Sequence, residues 1–228
     1  TRNRQQAPIL VTGVAGFIGS TLADRLLKDG ADVVGIDCFT DFYPRVIKER
    51  NLSGLMSEPG FRFVESRIQA ADLAALLADR TNVFHLAAQA GVRYSLQNPF
   101  AYERTNLAGH LAVLEACRHA NGIEHLVYAS SSSVYGDRPA AGAAFREDEP
   151  AVAPVSLYAA TKRSNELMAH VYAHLYRLPV TGLRYFTVYG PWGRPDMSSF
   201  LFARAILDGK PIQVFNKGDM QRDFTYID

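Results

Sequence analysis

The chain has 228 residues, of which 48% are hydrophobic and 21% are charged, and 24 basic residues nearly balance 23 acidic ones. A net charge of +1 excludes a polybasic nucleic-acid-binding protein, and the apolar content excludes a disordered one. Two cysteines, Cys38 and Cys117, are too few for a disulfide framework or a four-cysteine zinc site and fit a reducing compartment. No apolar run reaches the roughly 18 residues of a membrane span, and the N-terminus has no signal-peptide pattern. We therefore expect a cytoplasmic α/β protein without a membrane, nucleic-acid or metal partner.

Short apolar runs alternate with helical patterns over the first 186 residues. The apolar runs predict six strands, at residues 7–12, 32–37, 61–64, 82–87, 125–130 and 179–186. Helical spacing of apolar residues predicts helices at residues 17–28, 72–79, 101–120 and 157–176. Continuously apolar strands that are each separated by a helix indicate a parallel sheet covered on both faces. Right-handed crossovers make it a doubly wound, Rossmann-like α/β sheet.

The pattern changes after Phe186. Residues 188–195 hold two glycines and two prolines, which is a loop composition, and a helix at 199–207 and a strand at 211–215 are predicted to follow. We therefore expect residues 1–186 to form the Rossmann-like domain and residues 187–228 to belong to a smaller domain that covers a ligand.

Glycines follow the first predicted strand at a spacing that suits a phosphate. The segment contains Gly13, Gly16 and Gly19, and the predicted helix begins at Phe17 and Ile18. Gly13 permits a tight turn, Gly16 lets backbone N–H groups approach a pyrophosphate, and Gly19 lets the helix pack closely on the sheet. The positive end of the helix dipole then faces the phosphates, so this segment predicts a dinucleotide site rather than a plain turn.

Asp37 ends the second predicted strand, at the distance of about 20 residues from the glycines that dinucleotide-binding folds use. A carboxylate at this position accepts hydrogen bonds from the hydroxyls of an adenosine ribose and repels a 2′-phosphate. The residue therefore favours NAD over NADP, and an aspartate that caps a helix or turn is the alternative interpretation.

Three side chains near later strand ends suit proton transfer. Ser131 follows the fifth predicted strand, and doubly wound sheets bind ligands at the carboxyl ends of their strands. Tyr158 and Lys162 share one face of a helix, so the ammonium is expected to lower the pKa of the phenol from about 10 toward neutrality. Tyr158 would then act as a general base, with Ser131 bonded to the same substrate oxygen. A solvated helix face is the alternative interpretation of the Tyr–Lys spacing.

With these features the chain resembles the extended short-chain dehydrogenase/reductase family over its whole length. The resemblance rests on the glycine segment and on contiguous stretches at residues 85–88, 90–95, 129–136, 156–162, 184–197 and 222–228. It implies bound NAD that is regenerated in each cycle, and catalysis by Tyr158, Lys162 and Ser131. It also implies further NAD contacts, from Ile68, Leu86, Ala87, Ala88, Asn106 and Lys162.

Within this family the stretches are most similar to those of nucleotide-sugar 4-epimerases that act on uronates. That similarity implies reversible conversion of UDP-glucuronate to UDP-galacturonate through a transient 4-keto sugar. Family members that eliminate water or CO₂ carry acidic residues where this chain has Ser132 and Ser133, and serines can bind a substrate carboxylate instead. The implied substrate contacts are Arg93, Ser131, Ser132, Ser133, Tyr158, Thr187, Arg194, Phe215 and Arg222.

Simpler interpretations stay open. Read alone, Arg93 caps a helix, Thr187 is a strand residue, Phe215 is a core aromatic and Arg222 is a surface charge. For the whole chain the alternatives are a UDP-hexose 4-epimerase, another NAD-dependent nucleotide-sugar enzyme, or a non-catalytic NAD-binding sensor.

The chain departs from the family pattern at Cys38, Thr40 and Arg67, which we expect to alter the ribose and adenine contacts. It also stops within a family motif at Asp228, so we expect part of the substrate domain to lie outside this sequence.

Two apolar stripes are predicted, each on one face of its helix, and the second is predicted to face inward. They consist of Leu107, Leu111 and Leu114 in the fourth-strand crossover, and of Leu167, Val171 and Leu175 in the following helix. The family resemblance implies a second use for these helices, as the four-helix interface of a homodimer.

Overall fold

The computed structural model describes residues 8–137, 144–219 and 223–228. The strands are β1 (Ile9–Thr12), β2 (Val33–Asp37), β3 (Phe61–Glu65), β4 (Asn82–His85), β5 (His125–Ala129), β6 (Val180–Leu183), β7 (Thr187–Tyr189) and β8 (Phe224–Tyr226). Six of them form one parallel sheet in the order β3–β2–β1–β4–β5–β6. The order reverses between β1 and β4, which confirms the doubly wound, Rossmann-like fold and places a ligand crevice at the carboxyl ends of those two strands.

The helices are α1 (Phe17–Lys28), α2 (Arg45–Leu52), α3 (Leu73–Leu77), α4 (Tyr94–Gln97), α5 (Pro99–Tyr102), α6 (Gly109–His119), α7 (Leu157–Tyr176) and α8 (Ser198–Leu207). A π-helical turn at Glu103–Ala108 joins α5 to α6, and shorter 3₁₀ turns lie at Leu55–Ser57, Ile68–Ala70, Ser132–Tyr135 and Phe215–Gly218. The bounds predicted for α1 and α7 are confirmed, and Gly30 ends α1 in a left-handed conformation (φ 81°) as glycine does after a helix.

Both faces of the sheet are buried because its central strands are apolar throughout. Val11 and Val83 have no solvent exposure, and Leu10 has 1%. Leu10 and Leu114 belong to one core cluster, whereas Val11 and Val14 belong to a second. Burying each such side chain contributes about 1.5–3 kcal/mol, so the strands are held firmly enough to position the loops at their carboxyl ends.

The face that α7 presents to the core differs from the prediction. Leu167, Val171 and Leu175 are 52%, 47% and 60% exposed, so the prediction that they face inward was wrong. The inward face carries small and polar residues instead, namely Ala159, Thr161, Lys162, Asn165 and Ala169. Close packing against α5, α6 and the π turn needs small side chains, and Thr161 and Asn165 bond to Asn106 in that turn.

The stripe on the preceding helical segment is divided. Leu114 is buried and Leu107 is half-buried, but Leu111 is 42% exposed, so the prediction that the three residues share one face was wrong. The π turn changes the phase of the helix between Leu107 and Leu111, so residues at ordinary helical spacing do not share one face.

The segment after β7 contains the largest error of the sequence prediction. The strand expected at 211–215 is absent, because residues 211–214 have no regular structure and Phe215 begins a 3₁₀ turn. β7 pairs in parallel with β8, and within the described residues no strand pairs with residues 211–214. A strand needs a partner for its backbone groups, so β-branched composition alone did not suffice.

Among the helices that the structure describes, none combines the length and apolarity that crossing a bilayer requires. The same residues contain no group of three or more histidine, cysteine or acidic side chains arranged to hold a metal ion.

Candidate active site

The glycine segment forms a tight turn between β1 and α1. Gly13 has a φ of 74°, and a Cβ on it would lie 2.7 Å from the backbone nitrogen of Ala87. A Cβ on Gly19 would lie 2.2 Å from the carbonyl oxygen of Gly13, so a side chain cannot be placed there. The tight turn and the close packing of α1 that the sequence predicted are therefore present, and Gly13 also permits the close approach of the segment after β4.

The N-terminus of α1 is suited to an anion. Gly16 is the N-cap residue, no side chain caps the helix, and no acidic residue lies in its first turn, which begins with Phe17 and Ile18. The first N–H groups of the helix therefore have no side-chain acceptor and carry the positive end of the dipole. These residues fit the pyrophosphate of a dinucleotide.

Asp37 ends β2 beside this turn. Its Oδ1 accepts hydrogen bonds from the backbone nitrogens of Cys38 (2.8 Å) and Phe39 (3.1 Å), and its Oδ2 accepts one from Ala15 N (3.2 Å). The carboxylate is therefore tied to the glycine segment and fixed in orientation. Lys48 also lies 3.5 Å from Oδ1, a contact that the sequence analysis missed.

The segment after β4 lines the other side of the crevice. The Thr12 hydroxyl accepts a hydrogen bond from Ala87 N (3.1 Å), and Leu86 N donates to the carbonyl of Thr12 (3.2 Å). Leu86, Ala87 and Ala88 are half-buried at the carboxyl end of β4. Ile68 lies after β3, 7% exposed, with its side chain in the core. All four residues lie at the carboxyl edge of the sheet, where they were predicted to meet NAD.

Asn106 lies in the π turn and joins two parts of the site. Its side chain accepts a hydrogen bond from Gln89 N (2.8 Å) and donates to Gln89 O (3.1 Å) and the Thr161 hydroxyl (3.0 Å). Its carbonyl accepts a hydrogen bond from Asn165 of α7 (2.7 Å). In this structure Asn106 therefore holds the segment after β4 against α7, and its amide is fully used in doing so.

Tyr158 lies on the first turn of α7 next to Ser131. Burial raises the pKa of Tyr158, while a hydrogen bond with Ser131 and the charge of Arg194 oppose the rise. The Ser131 Oγ in turn accepts hydrogen bonds from Ser133 N (3.2 Å) and Ser133 Oγ (2.9 Å), which leaves its own proton for the phenol oxygen. The structure thus brings Ser131 and Tyr158 together as predicted.

The expected effect of Lys162 on Tyr158 was wrong for this structure. Lys162 is 4% exposed, its Nζ donates to the carbonyl of Ala129 (2.8 Å), and burial lowers its pKa to about 8. The groups that lower the pKa of Tyr158 are Ser131 and Arg194 instead. The i, i+4 spacing placed Lys162 on the correct face, but burial of the phenol and the bond to Ala129 decide the outcome.

Among the predicted substrate residues, Arg194 lies close enough to Tyr158 to influence its pKa. The guanidinium forms a bidentate pair with Asp196 at 2.9 and 2.8 Å. Thr187 begins β7 and is half-buried, and Ser132 N donates to Tyr185 O (2.9 Å).

Of the other three predicted substrate contacts, one is exposed and two have side chains that the structure does not describe. Arg93 is exposed at the start of α4, where the Leu96 nitrogen bonds to its carbonyl. The side chain of Phe215 and the whole of Arg222 lie outside the described residues, so their assignment stays a prediction.

The serine segment rests on an ionic network. Ser130 donates to Glu166 Oε1 (2.6 Å), and Arg184 forms a bidentate pair with the same carboxylate at 2.9 and 3.0 Å. The Arg184 guanidinium lies 4.6 Å from the Tyr135 ring centroid. These contacts fix both ends of the Ser130–Tyr135 stretch. An open cavity of about 580 Å³ borders this network, and none of the predicted site residues that the structure describes lines it.

Sequence analysis also missed Tyr102, which has no solvent exposure. Its hydroxyl donates to Ala90 O (2.7 Å) and also bonds with Gly91 O. Its ring meets that of Tyr158 edge to face, with centroids 6.1 Å apart. The residue therefore connects the segment after β4 with the predicted base. The sequence contains one indication of this helix, because Asn98 and Pro99 are typical of a helix start and lie four and three residues before Tyr102.

Relatives with assigned activities cover nearly all of this chain. A probable UDP-glucuronate 4-epimerase of Rhizobium meliloti is 51% identical over 222 residues, which span 96% of this chain and 64% of that protein. UDP-glucuronate 4-epimerase 1 of Arabidopsis thaliana is 50% identical over 226 residues, spanning 96% of this chain and 52% of that protein. The chain thus spans between half and two thirds of the length of these curated relatives.

A solved structure has the same fold. The UDP-glucuronic acid 4-epimerase of Bacillus cereus, crystallised with UDP-glucuronic acid and NAD, superimposes with a TM-score of 0.91 at 42% identity. The match covers 96% of this chain and 69% of that one. Residues 9–228 of this chain also match the NAD dependent epimerase/dehydratase family, whose cofactor is the one that Asp37 predicted. The chain therefore belongs to the NAD dependent epimerase/dehydratase family.

Proposed function

We propose that this chain is part of an NAD-dependent UDP-glucuronate 4-epimerase, which interconverts UDP-glucuronate and UDP-galacturonate through a transient 4-keto sugar. The observation that carries the proposal is that Ser131 and Arg194 both lie close enough to Tyr158 to lower its pKa, at the carboxyl edge of a sheet with a dinucleotide cradle. Relatives named UDP-glucuronate 4-epimerase that are about half identical to this chain support the choice of reaction.

In this proposal the cofactor lies along the carboxyl edge of the sheet. The turn from Gly13 to Gly19 and the start of α1 hold the pyrophosphate, and Asp37 holds the adenosine ribose. Lys162 and the Leu86–Ala88 segment border the nicotinamide end, while Ile68 borders the adenine. When bound, NAD would supply the hydride acceptor and donor.

Tyr158 takes the proton from the sugar 4-hydroxyl and later returns it. A phenol whose pKa is raised by burial is a poor base by itself, so the Ser131 hydrogen bond and the Arg194 charge are needed to stabilise its anion. Ser131 has one hydroxyl proton, which faces the phenol oxygen in the free site and would turn to the sugar O4 when substrate binds. In the free site two hydrogen bonds from Ser133 fix the orientation of the Ser131 oxygen. The groups that favour the phenolate are therefore in place before substrate binds.

The uronate carboxylate is assigned to Ser132, Ser133, Thr187 and Arg194. Hydroxyl groups donate to a carboxylate without transferring a proton at neutral pH, so they fix it in orientation. The Ser133 hydroxyl, which donates to Ser131 in the free site, would turn to the carboxylate when substrate binds. Orientation matters because the 4-keto sugar is a β-keto acid, which loses CO₂ when the breaking C–C bond aligns with the carbonyl π system. Arg93, Phe215 and Arg222 complete the proposed contacts with the rest of the UDP-sugar.

Larger-scale assignments go with this proposal. Residues 1–186 form the NAD domain, and residues 187–228 form part of the substrate domain. The exposed apolar residues of α6 and α7 form the interface of a homodimer, since Leu111, Leu167, Val171 and Leu175 are between 42% and 60% exposed. The two cysteines are unpaired, which supports a reducing location, the cytoplasm.

The test is the product formed from two substrates. We expect the protein to convert UDP-glucuronate to UDP-galacturonate, identified by the changed anomeric and H4 proton couplings in NMR, without release of CO₂. Turnover of UDP-glucose alone would instead assign a UDP-hexose 4-epimerase and remove the role of the serines. Binding of NAD without turnover of either sugar would favour the non-catalytic sensor.

A further inference from the structure

Helix α2 buries a lysine where an amphipathic helix ordinarily buries an apolar residue. Of its eight residues only Lys48 and Leu52 are buried, and Lys48 is 6% exposed. The ammonium lies 3.5 Å from Asp37 Oδ1, and the two side chains are 8% and 9% exposed. An ammonium is costly to remove from water, so a buried lysine on a short helix needs a specific partner, and Asp37 is that partner.

The same helix directs a second polar group to the glycine turn. Asn51 Nδ2 donates to the carbonyl of Ala15 (3.0 Å), and Ala15 N donates to Asp37 Oδ2. The Lys48 ammonium also lies 5.2 Å from the Tyr43 ring centroid, which covers it on another side. Helix α2 therefore faces the adenosine end of the cradle with a fixed cation, in addition to the carboxylate that the sequence analysis identified.

We propose that Lys48 is a specificity-determining residue of the dinucleotide site: it is the cation with which a ribose 2′-phosphate would pair, and Asp37 keeps it neutralised. The inference rests on the proposed NAD site. Asp37 Oδ1 contacts the backbone nitrogens of Cys38 and Phe39 and the ammonium of Lys48. A ligand bonded to the Asp37 carboxylate therefore also comes near the Lys48 ammonium. A neutral 2′-hydroxyl of NAD is compatible with the Lys48–Asp37 ion pair. A dianionic 2′-phosphate of NADP would instead be repelled by Asp37 and attracted by Lys48.

A second cation lies on the same side. Burial and the charge of Asp37 raise the pKa of the Cys38 thiol, while the charges of Arg67 and Lys48 oppose that rise. Both cations therefore lie near Cys38, directly after the selective carboxylate. Arg67 is exposed and follows β3, whereas Lys48 is buried and belongs to α2. The buried Lys48 is therefore the cation that we expect to offset part of the repulsion between Asp37 and a 2′-phosphate.

The experiment measures the dissociation constants of NAD and NADP by calorimetry on protein freed of its cofactor. Asp37→Asn keeps the shape of the side chain but releases Lys48 from its partner, and we expect it to bind NADP about 10-fold or more tightly than the wild type does. Adding Lys48→Met to Asp37→Asn is expected to remove most of that gain. A gain that persists in the double variant would overturn the assignment to Lys48.

The single variant Lys48→Met provides an independent measurement if Asp37→Asn fails to fold. Its ratio of NADP to NAD dissociation constants is expected to rise about 10-fold, because the phosphate then faces the carboxylate alone. Lys28→Met is the matched control, since Lys28 pairs with Asp24 on the exposed surface of α1, and its ratio is expected to stay that of the wild type. An unchanged ratio in Lys48→Met would contradict the role of Lys48 and leave the proposed function intact. A wild type that binds no NAD would contradict both the role of Lys48 and the proposed function.

Discussion

At the scale of single residues, two buried histidines, His85 and His110, lie near Lys162. His85 Nδ1 shares a 2.8 Å hydrogen bond with the Thr12 hydroxyl, and its ring stacks on that of His110 with centroids 5.2 Å apart. Burial and the neighbouring charge of Lys162 lower the pKa of His110 to about 3. Both imidazoles are therefore neutral at physiological pH, and a proton on either would add charge beside Lys162.

The low pKa of His110 predicts a loss of stability in acid. Below about pH 6.5 the unfolded chain binds a proton at this residue that the folded chain does not, so the free energy of unfolding falls by about 1.4 kcal/mol per pH unit until the pH approaches 3. We expect His110→Phe to flatten this dependence between pH 6.5 and pH 5, measured by urea unfolding. The exposed His174→Phe is the control, and equal slopes in all three proteins would show that His110 does not contribute.

Residue identities in the site were more predictable than their electrostatics. The positions of Tyr158, Ser131 and Asp37 follow from strand ends and from helical spacing, which the sequence contains. The pKa of Tyr158 depends on how deeply the first turn of α7 is buried and on Arg194, which is 36 residues away. Lys48 and Tyr102 escaped prediction because their partners, Asp37 and Ala90, come close only through the tertiary fold.

At the scale of secondary-structure elements, the π turn between α5 and α6 determines how the site is held. A π turn contains an extra residue per turn, and here it directs Asn106 toward Gln89 and Thr161. The sequence predicted one uninterrupted helix, because apolar periodicity does not record a one-residue change of phase. Helix α2 was also missed, since Lys48 takes an inward position on it.

Removing the Asn106 side chain is therefore expected to loosen the connection between the β4 segment and α7. Asn106→Ala leaves buried backbone groups of Gln89 unpaired, so the free energy of unfolding is expected to fall by about 2 kcal/mol. Chemical denaturation measures this change. Asn121→Ala, in an exposed turn, is the control and is expected to change stability by less than about 0.5 kcal/mol. A loss no larger than the control's would mean that these bonds contribute nothing.

At the scale of the whole molecule, an apolar surface lies on α6 and α7, the helices that pack against each other on one side of the sheet. It consists of Leu111, Leu167, Val171 and Leu175. The prediction that Leu167, Val171 and Leu175 pack inward was wrong because small and polar residues of α7 occupy that face. The exposure of the apolar residues favours the dimer that the family resemblance implied. The order of the central sheet, in contrast, follows from topology rules that the alternation of elements already satisfied.

If α6 and α7 form a dimer interface, charged residues placed on that surface should reduce the mass of the protein in solution from that of a dimer to that of a monomer. Leu167→Glu combined with Val171→Glu places two carboxylates on the exposed face of α7, and we expect the protein to sediment as a monomer while its melting temperature changes little. Glu124→Gln, on a turn away from this surface, serves as the control. A wild type that is monomeric at micromolar concentration, or a double variant that stays dimeric, would contradict the proposed interface.

The central claim is that Tyr158 exchanges the proton of the sugar 4-hydroxyl, and one comparison tests it most directly. The rate of UDP-glucuronate epimerisation is measured by NMR for the wild type and for Tyr158→Phe, with bound NAD quantified in both proteins. Loss of a general base costs roughly 10²–10⁴-fold, so the variant should retain its NAD and lose at least 99% of its turnover, which is a factor of about 10². A variant that keeps wild-type turnover with its NAD in place would contradict the role of Tyr158 as the base.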